Sequence, residues 1–139
     1  MSQETRALPR HETAWLGKPQ TEDADVPTLV LLHGYGSNEK HLIALVPAMQ
    51  MFLPGVNARV IAVRGSCPAP GRQRGFSWFP GAVNVQPSIR AIGETADQVA
   101  DVVRRYSRRA IVVGFSQGMC TAVTVLRRHP ELVLSLIHI

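Results

Sequence analysis

The sequence predicts an α/β fold with a mainly parallel sheet and flanking helices, on three observations. Short apolar runs occur at Thr28–Leu32, Ala58–Val63 and Ala110–Val113. None of them shows the apolar–polar alternation of a half-exposed strand, so each reads as a strand buried on both faces. The segments between them carry apolar residues at helical spacing, and strand followed by helix, repeated, is the order of a parallel α/β sheet.

Taken in order, residues 1–25 form a polar segment in which only Trp15 and Leu16 are bulky apolar anchors, with a short edge strand expected near Thr13–Gly17. The domain proper is expected to span residues 26–133. Its first strand, Thr28–Leu32, stops at a glycine-rich turn, His33-Gly34-Tyr35-Gly36-Ser37-Asn38. A helix is predicted over Glu39–Ala48, with Leu42, Leu45, Val46 and Met49 along one stripe. Ala58–Val63 is the second strand. The stretch Arg64–Pro87 reads as a long loop rich in Gly, Pro and Arg that also holds Phe76, Trp78 and Phe79, and a loop of that length usually has a binding role. Ser88 is suited to cap a helix over Ile89–Tyr106, where Ile92, Thr95, Ala96, Val99, Val102 and Val103 recur at helical spacing. After the third strand, a helix over Gln117–Arg128 should end at His129-Pro130, because proline disfavours its continuation.

Composition narrows the function. A chain of 139 residues, 45% hydrophobic and 18% charged, suits one domain with one core, and excludes disorder, collagen and coiled coil as descriptions of the whole. No apolar run reaches the roughly 18–20 residues of a membrane span. The opening MSQETRALPRHE lacks the apolar stretch of a signal peptide. Cys67 and Cys120 make neither a disulfide framework nor a zinc site, so the reducing cytoplasm is the expected compartment, and no metal or cofactor is expected. Fifteen cations, thirteen of them Arg, against ten acids give a net charge of +5. The pairs Arg104-Arg105, Arg108-Arg109 and Arg127-Arg128 fall where helices are expected to end, and cations suit that end of the helix dipole. Only Tyr106 is interleaved with them, which argues against a surface for stacking bases, and no nucleic-acid partner is expected.

The chemistry centres on Gly114-Phe115-Ser116-Gln117-Gly118, a G-x-S-x-G between a buried strand and a helix. In that context it reads as a nucleophile elbow, in which a tight turn lifts the serine hydroxyl above the sheet and the flanking glycines keep other atoms clear. The helix amino terminus behind Ser116 supplies backbone N–H groups to a developing oxyanion. The His33–Gly36 turn stands where such a sheet builds the other half of an oxyanion hole, so the N–H groups of Tyr35 and Gln117 are the expected donors. His33, at a strand end, reads better as a residue that orients its loop by hydrogen bonding than as a base.

The runs LVLLHGYGSNEKHL (29–42), GFSWFP (75–80) and GFSQGMCTAV (114–123) resemble the phospholipase/carboxylesterase family of α/β-hydrolases, in the family's order and over about Val26 to Pro130. The resemblance implies the amino-terminal part of an α/β-hydrolase fold and a carboxylesterase or thioesterase acting on a small-molecule ester or thioester. It implies Ser116 as nucleophile, oxyanion donors at Tyr35 and Gln117, and Trp78 and Phe79 lining or flanking the acyl pocket, although both also suit a simple anchoring of their loop. A neighbouring activity, of dienelactone hydrolase or peptidase type, is the alternative within enzymes; serine rather than cysteine at 116 argues against the former. A non-catalytic fragment with a basic, anion-binding surface is the alternative outside enzymes.

A serine hydrolase of this fold needs an Asp or Glu and then a His after the nucleophile. The residues following Ser116 offer only His129, Glu131 and His138, none suitably placed; Asp97 and Asp101 precede it. The chain is therefore expected to be inactive as written, with the far edge of its serine-bearing strand unpaired. Residues 134–139, LSLIHI, match the translation of a transposase end sequence used as a sequencing adaptor, so the segment after about Val133 is expected to be non-native.

Overall fold

The computed structural model describes residues 13–16, 27–52, 59–69, 75–80 and 86–139. Five strands, β1 (Thr13–Leu16), β2 (Thr28–Leu32), β3 (Arg59–Val63), β6 (Ala110–Gly114) and β7 (Val133–His138), form one sheet in the order β1-β3-β2-β6-β7. The four strands from β3 to β7 run parallel, and β1 closes one edge antiparallel to β3. Between β3 and the long helix lies a small antiparallel pair, β4 (Cys67–Pro68) and β5 (Phe76–Ser77). The helices are α1 (Lys40–Ile43), α2 (Val46–Phe52), α3 (Ile89–Arg104) and α4 (Gln117–Arg128).

The unalternated apolar runs are accounted for by two cores, one on each face of the sheet. Val30 and Leu32 of β2 join Ile61, Val63 and Val112 under Trp78 and the helix residues Val99, Val103 and Val125. Leu29 and Leu31, one position out of phase, point the other way and pack with Val60, Ala62 and Val113 against Leu42 and Val46. Full burial of an aliphatic side chain contributes about 1.5–3 kcal/mol, so β2, buried at every position, is the main mechanical support of the glycine-rich turn at its carboxyl end.

The polar segment 1–25 lies outside the described residues except for β1, which is the expected edge strand, and so do Ala58 and parts of the 64–87 stretch. Three expectations change. The helix expected over Glu39–Ala48 is two helices broken at Ala44-Leu45, an arrangement that places Pro47 in the first turn of α2, where its missing N–H has no intrahelical partner to lose. The long loop is not structureless, because β4 and β5 pair within it. The far edge of β6 is not open: β7 pairs with it in parallel, with a register shift between Ala110 and Ile111 that leaves Leu134 the extra residue. Ser88 caps α3 as expected, accepting from Ala91 N at 3.1 Å, and the helix ends at Arg104, two residues early.

The outer faces of α3 and α4 are joined by charge. Arg128 donates to both oxygens of Asp97 at 2.8 and 2.7 Å. Arg104 donates to Nδ1 of His129 at 2.9 Å, leaving Nε2–H to donate to Asp97 at 2.7 Å, and also to Glu131 at 2.9 Å. The arginines at the two helix ends are thus held by carboxylates. Arg128 above all, then His129, brings the Asp97 carboxyl from 3.8 down to about 2. Because the folded-state value is the lower one, the resulting stability is complete above 3.8 and disappears as pH falls through about 2. The pair is half exposed, with Asp97 at 41% and Arg128 at 49%, so solvent screens it and the effect is small. Asp97→Asn is expected to flatten the acid limb of a stability-versus-pH curve in low salt and to matter little once salt is added. An unchanged acid limb in the variant would remove this assignment.

Candidate active site

Two segments at the carboxyl ends of β2 and β6 build the site. Between β6 and α4, Ser116 has φ 53° and ψ −115°, and it is the one non-glycine residue with positive φ among the described residues. Such backbone costs about 1–3 kcal/mol and persists only where the surroundings enforce it. Gly118 is part of that enforcement: a Cβ there would stand 2.1 Å from Leu32 O and 2.5 Å from His33 O, so the first turn of α4 rests directly on the end of β2. Phe115 N donates to Leu32 O at 3.1 Å on the same side. Ser116 begins α4 yet makes no side-chain capping bond and leaves its side chain exposed. Ser88 supplies the contrast, with extended backbone and an accepting hydroxyl, which is how an ordinary cap behaves.

The second segment follows β2. His33 is 1% exposed, and both its ring nitrogens are committed. Nδ1–H donates to Gly34 O at 2.7 Å, and Nε2 accepts from Gly65 N at 2.9 Å. Burial pushes its pKa below the usual imidazole value, so the ring is neutral and orients its loop, the role expected from its position. The loop is further tied to β5 by Gly36 N to Phe76 O at 2.9 Å and Phe76 N to Ser37 O at 2.8 Å. The N–H groups of Tyr35 and Gln117 belong to these two adjoining segments, and among the described residues neither donates to a protein acceptor.

Trp78 is completely buried and Phe79 is 4% exposed, both in the core beneath α3. Both anchor their loop on the core. The Trp78 indole N–H donates to His33 O at 2.7 Å, its backbone N–H to Gln117 Oε1 at 2.8 Å, and its carbonyl accepts from Thr95 at 3.0 Å.

Sequence reasoning missed one supporting pair. Arg64 donates to both oxygens of Glu39 at 2.7 Å each, and its guanidinium lies 4.5 Å from the Phe76 ring centre. The signal was slight: one acid just past the glycine turn, one arginine just past a strand. Glu39 is 6% exposed and Arg64 25%, and the guanidinium holds the Glu39 carboxyl below its usual range. Removing one member of a desolvated pair strands the other, so Glu39→Gln is expected to cost about 1–3 kcal/mol in urea unfolding. Wild-type stability in that variant would show the pair to be incidental.

Among the described residues, no acid or histidine is hydrogen-bonded to the Ser116 side chain. His129 caps the far end of α4, whose twelve residues separate it from Ser116 by about 20 Å at 1.5 Å per residue. Asp101 is paired with Arg104 at 3.5 Å. His41 is exposed, its ring edge-on to Phe115 at 6.0 Å between centres. His138 is held by β7 level with Gly114, but it is exposed and no carboxylate is bonded to it among the described residues. No group of three or more metal-ligating side chains, and no helix long and apolar enough to cross a membrane, occurs among the described residues.

Among solved structures, a Bacillus cereus carboxylesterase superposes with a TM-score of 0.68 at 18% identity, covering 92% of this chain and 58% of that one. A carboxylesterase from Mesorhizobium loti gives 0.59 at 19% identity, covering 90% and 66%, and a marine microorganism esterase 0.62 at 16%, covering 94% and 41%. At these identities the likeness is one of fold, and the chain spans less than two thirds of the length of each. A family profile described as Phospholipase/Carboxylesterase matches residues 19–133. With that match over most of its length, and with an α/β-hydrolase sheet and its helices in place, the chain belongs to the phospholipase/carboxylesterase family.

Proposed function

We propose that the protein to which this chain belongs is a serine hydrolase of carboxylesterase or thioesterase type, cleaving small-molecule esters or thioesters through an acyl-enzyme on Ser116. The observation that carries this reading is the strained, positive-φ turn that leaves the Ser116 hydroxyl free above the sheet. The hydroxyl oxygen attacks the substrate carbonyl carbon as its proton passes to a base, the Tyr35 and Gln117 N–H groups stabilise the oxyanion, and the alcohol or thiol leaves with a proton from that base. Water then attacks the acyl group and the same groups return the serine. Trp78 and Phe79 flank the acyl pocket while anchoring their loop in the core. No metal or cofactor takes part. Two free cysteines suit a cytoplasmic setting.

In this reading Ser116 needs a base and an acidic partner for that base, because an unassisted hydroxyl is too weak a nucleophile near neutral pH, and none of the described residues is hydrogen-bonded to its side chain. Residues 134–139 are foreign to the gene. What supports this is the match of residues 134–139 to an adaptor translation. An apolar segment reaching an open strand edge adds to it whatever its origin. The test is to resequence the locus and express the full reading frame. Hydrolysis of a short p-nitrophenyl ester, with fluorophosphonate labelling confined to Ser116, supports the reading. A stop codon directly after Ile139 refutes the junction, and an unlabelled Ser116 refutes the hydrolase.

A further inference from the structure

We infer that the carboxamide of Gln117 is a positioning group that couples the two oxyanion donors through Trp78 and His33. The inference rests on the reading of Ser116 as nucleophile and assigns to a side chain what that reading asks only of a backbone.

The path is continuous. Gln117 Oε1 accepts from the backbone N–H of Trp78 at 2.8 Å. The indole of the same residue donates to His33 O at 2.7 Å. The His33 ring donates from Nδ1 to Gly34 O at 2.7 Å and accepts at Nε2 from Gly65 N at 2.9 Å. Gly34 O and Tyr35 N–H are the two ends of one peptide group. Since that group is planar and trans, fixing its oxygen fixes the direction of its N–H. The relay thus begins on the residue that supplies one donor and ends on the peptide that supplies the other. Trp78 and His33 are buried, with ring centres 5.1 Å apart, so slack in one bond is not absorbed by solvent. Thr95 holds the far side of Trp78 through its carbonyl, and Trp78 therefore cannot drift to follow a changed residue 117.

An ordinary residue at the first position of a helix has no need of such a partner. Glutamine here has the reach and the acceptor to close the gap between α4 and the bend that follows β5. Methionine has the same reach without an oxygen, asparagine an oxygen without the reach, and glutamate both.

The experiment uses the complete gene product. Gln117→Met is expected to lower kcat for p-nitrophenyl butyrate about ten- to hundred-fold, the scale of a misplaced catalytic group, with KM within about two-fold. Amide exchange at the Trp78 backbone N–H should accelerate in Gln117→Met, and Gln117→Glu, which keeps the acceptor, should restore its protection. Gln117→Asn repeats the test should the methionine variant fold poorly. An active wild type whose folded Gln117→Met or Gln117→Asn variant keeps full kcat overturns this inference alone, as does a loss of kcat with Trp78 exchange unchanged. A wild type that neither hydrolyses the ester nor labels at Ser116 overturns the hydrolase reading and this inference with it.

Discussion

Ser116→Ala in the complete gene product should lower kcat for ester hydrolysis by about a million-fold, the loss seen when a serine triad is deprived of its nucleophile. The fold should be untouched, because the side chain is exposed and makes no capping bond. A second substitution separates chemistry from strain. Ser116→Gly also removes the hydroxyl, but glycine tolerates φ 53° at no steric cost, so the strain of about 1–3 kcal/mol is released. Set against the greater entropy of unfolded glycine, the net gain should be about 1 kcal/mol, visible as a higher Tm for Ser116→Gly than for Ser116→Ala. Near-normal turnover in either variant would mean that another residue attacks. Equal melting of the two would mean that the turn is not strained. Together they ask whether this protein trades stability for an exposed nucleophile, as functional turns commonly do.

What the sequence made legible was whatever a short window contains. β2 was foreseen residue for residue because five consecutive apolar or β-branched positions need no partner to be recognised. The limits of α4 followed from Gly114–Gly118 on one side and Pro130 on the other. The turn at Ser116 was legible because strand, G-x-S-x-G and helix are contiguous. What the sequence hid was pairing at a distance. Glu39 with Arg64, Gln117 with Trp78 and Asp97 with Arg128 join residues 25, 39 and 31 positions apart, and no local pattern marks either member. The break between α1 and α2 was obscured by an apolar stripe that runs through it, so the periodicity was right while Pro47 decided the backbone. For Trp78 the sequence left two readings, pocket and anchor, for a related reason. An aromatic residue in a glycine-rich loop resembles a binding residue until its indole N–H is seen to be committed to His33 O inside the core.

Gly118→Ala is expected to do more damage to the fold than any change at Ser116, and it can be measured on this chain without any activity. The added methyl would lie 2.1 Å from Leu32 O and 2.5 Å from His33 O, against the roughly 3 Å that real Cβ contacts require. Both obstacles are backbone atoms at the end of a fully buried strand, so neither can rotate away. Either α4 lifts from the sheet by about 1 Å, thinning the contacts of Ala122 and Val125 with the core, or the end of β2 moves and takes the His33 loop with it. Overpacking of this kind costs about 1–3 kcal/mol and more where the neighbours cannot give, so a loss near 3 kcal/mol in urea unfolding is the expected result. Gly93→Ala is the control: Gly93 is buried where α3 meets α4, but the atoms nearest its new methyl belong to the Arg128 guanidinium, at 3.0 Å, which is the far end of a side chain and not backbone. A flexible side chain can step aside, and alanine inside a helix is favoured over glycine by about 0.5–1 kcal/mol, so that variant should be neutral or more stable. On the proposed hydrolase reading, the displacement in Gly118→Ala in the complete gene product would also misplace the Gln117 N–H and cost about a hundred-fold in kcat. Wild-type stability in Gly118→Ala would mean that α4 does not rest on the end of β2, and with that contact would go the geometric case for Ser116.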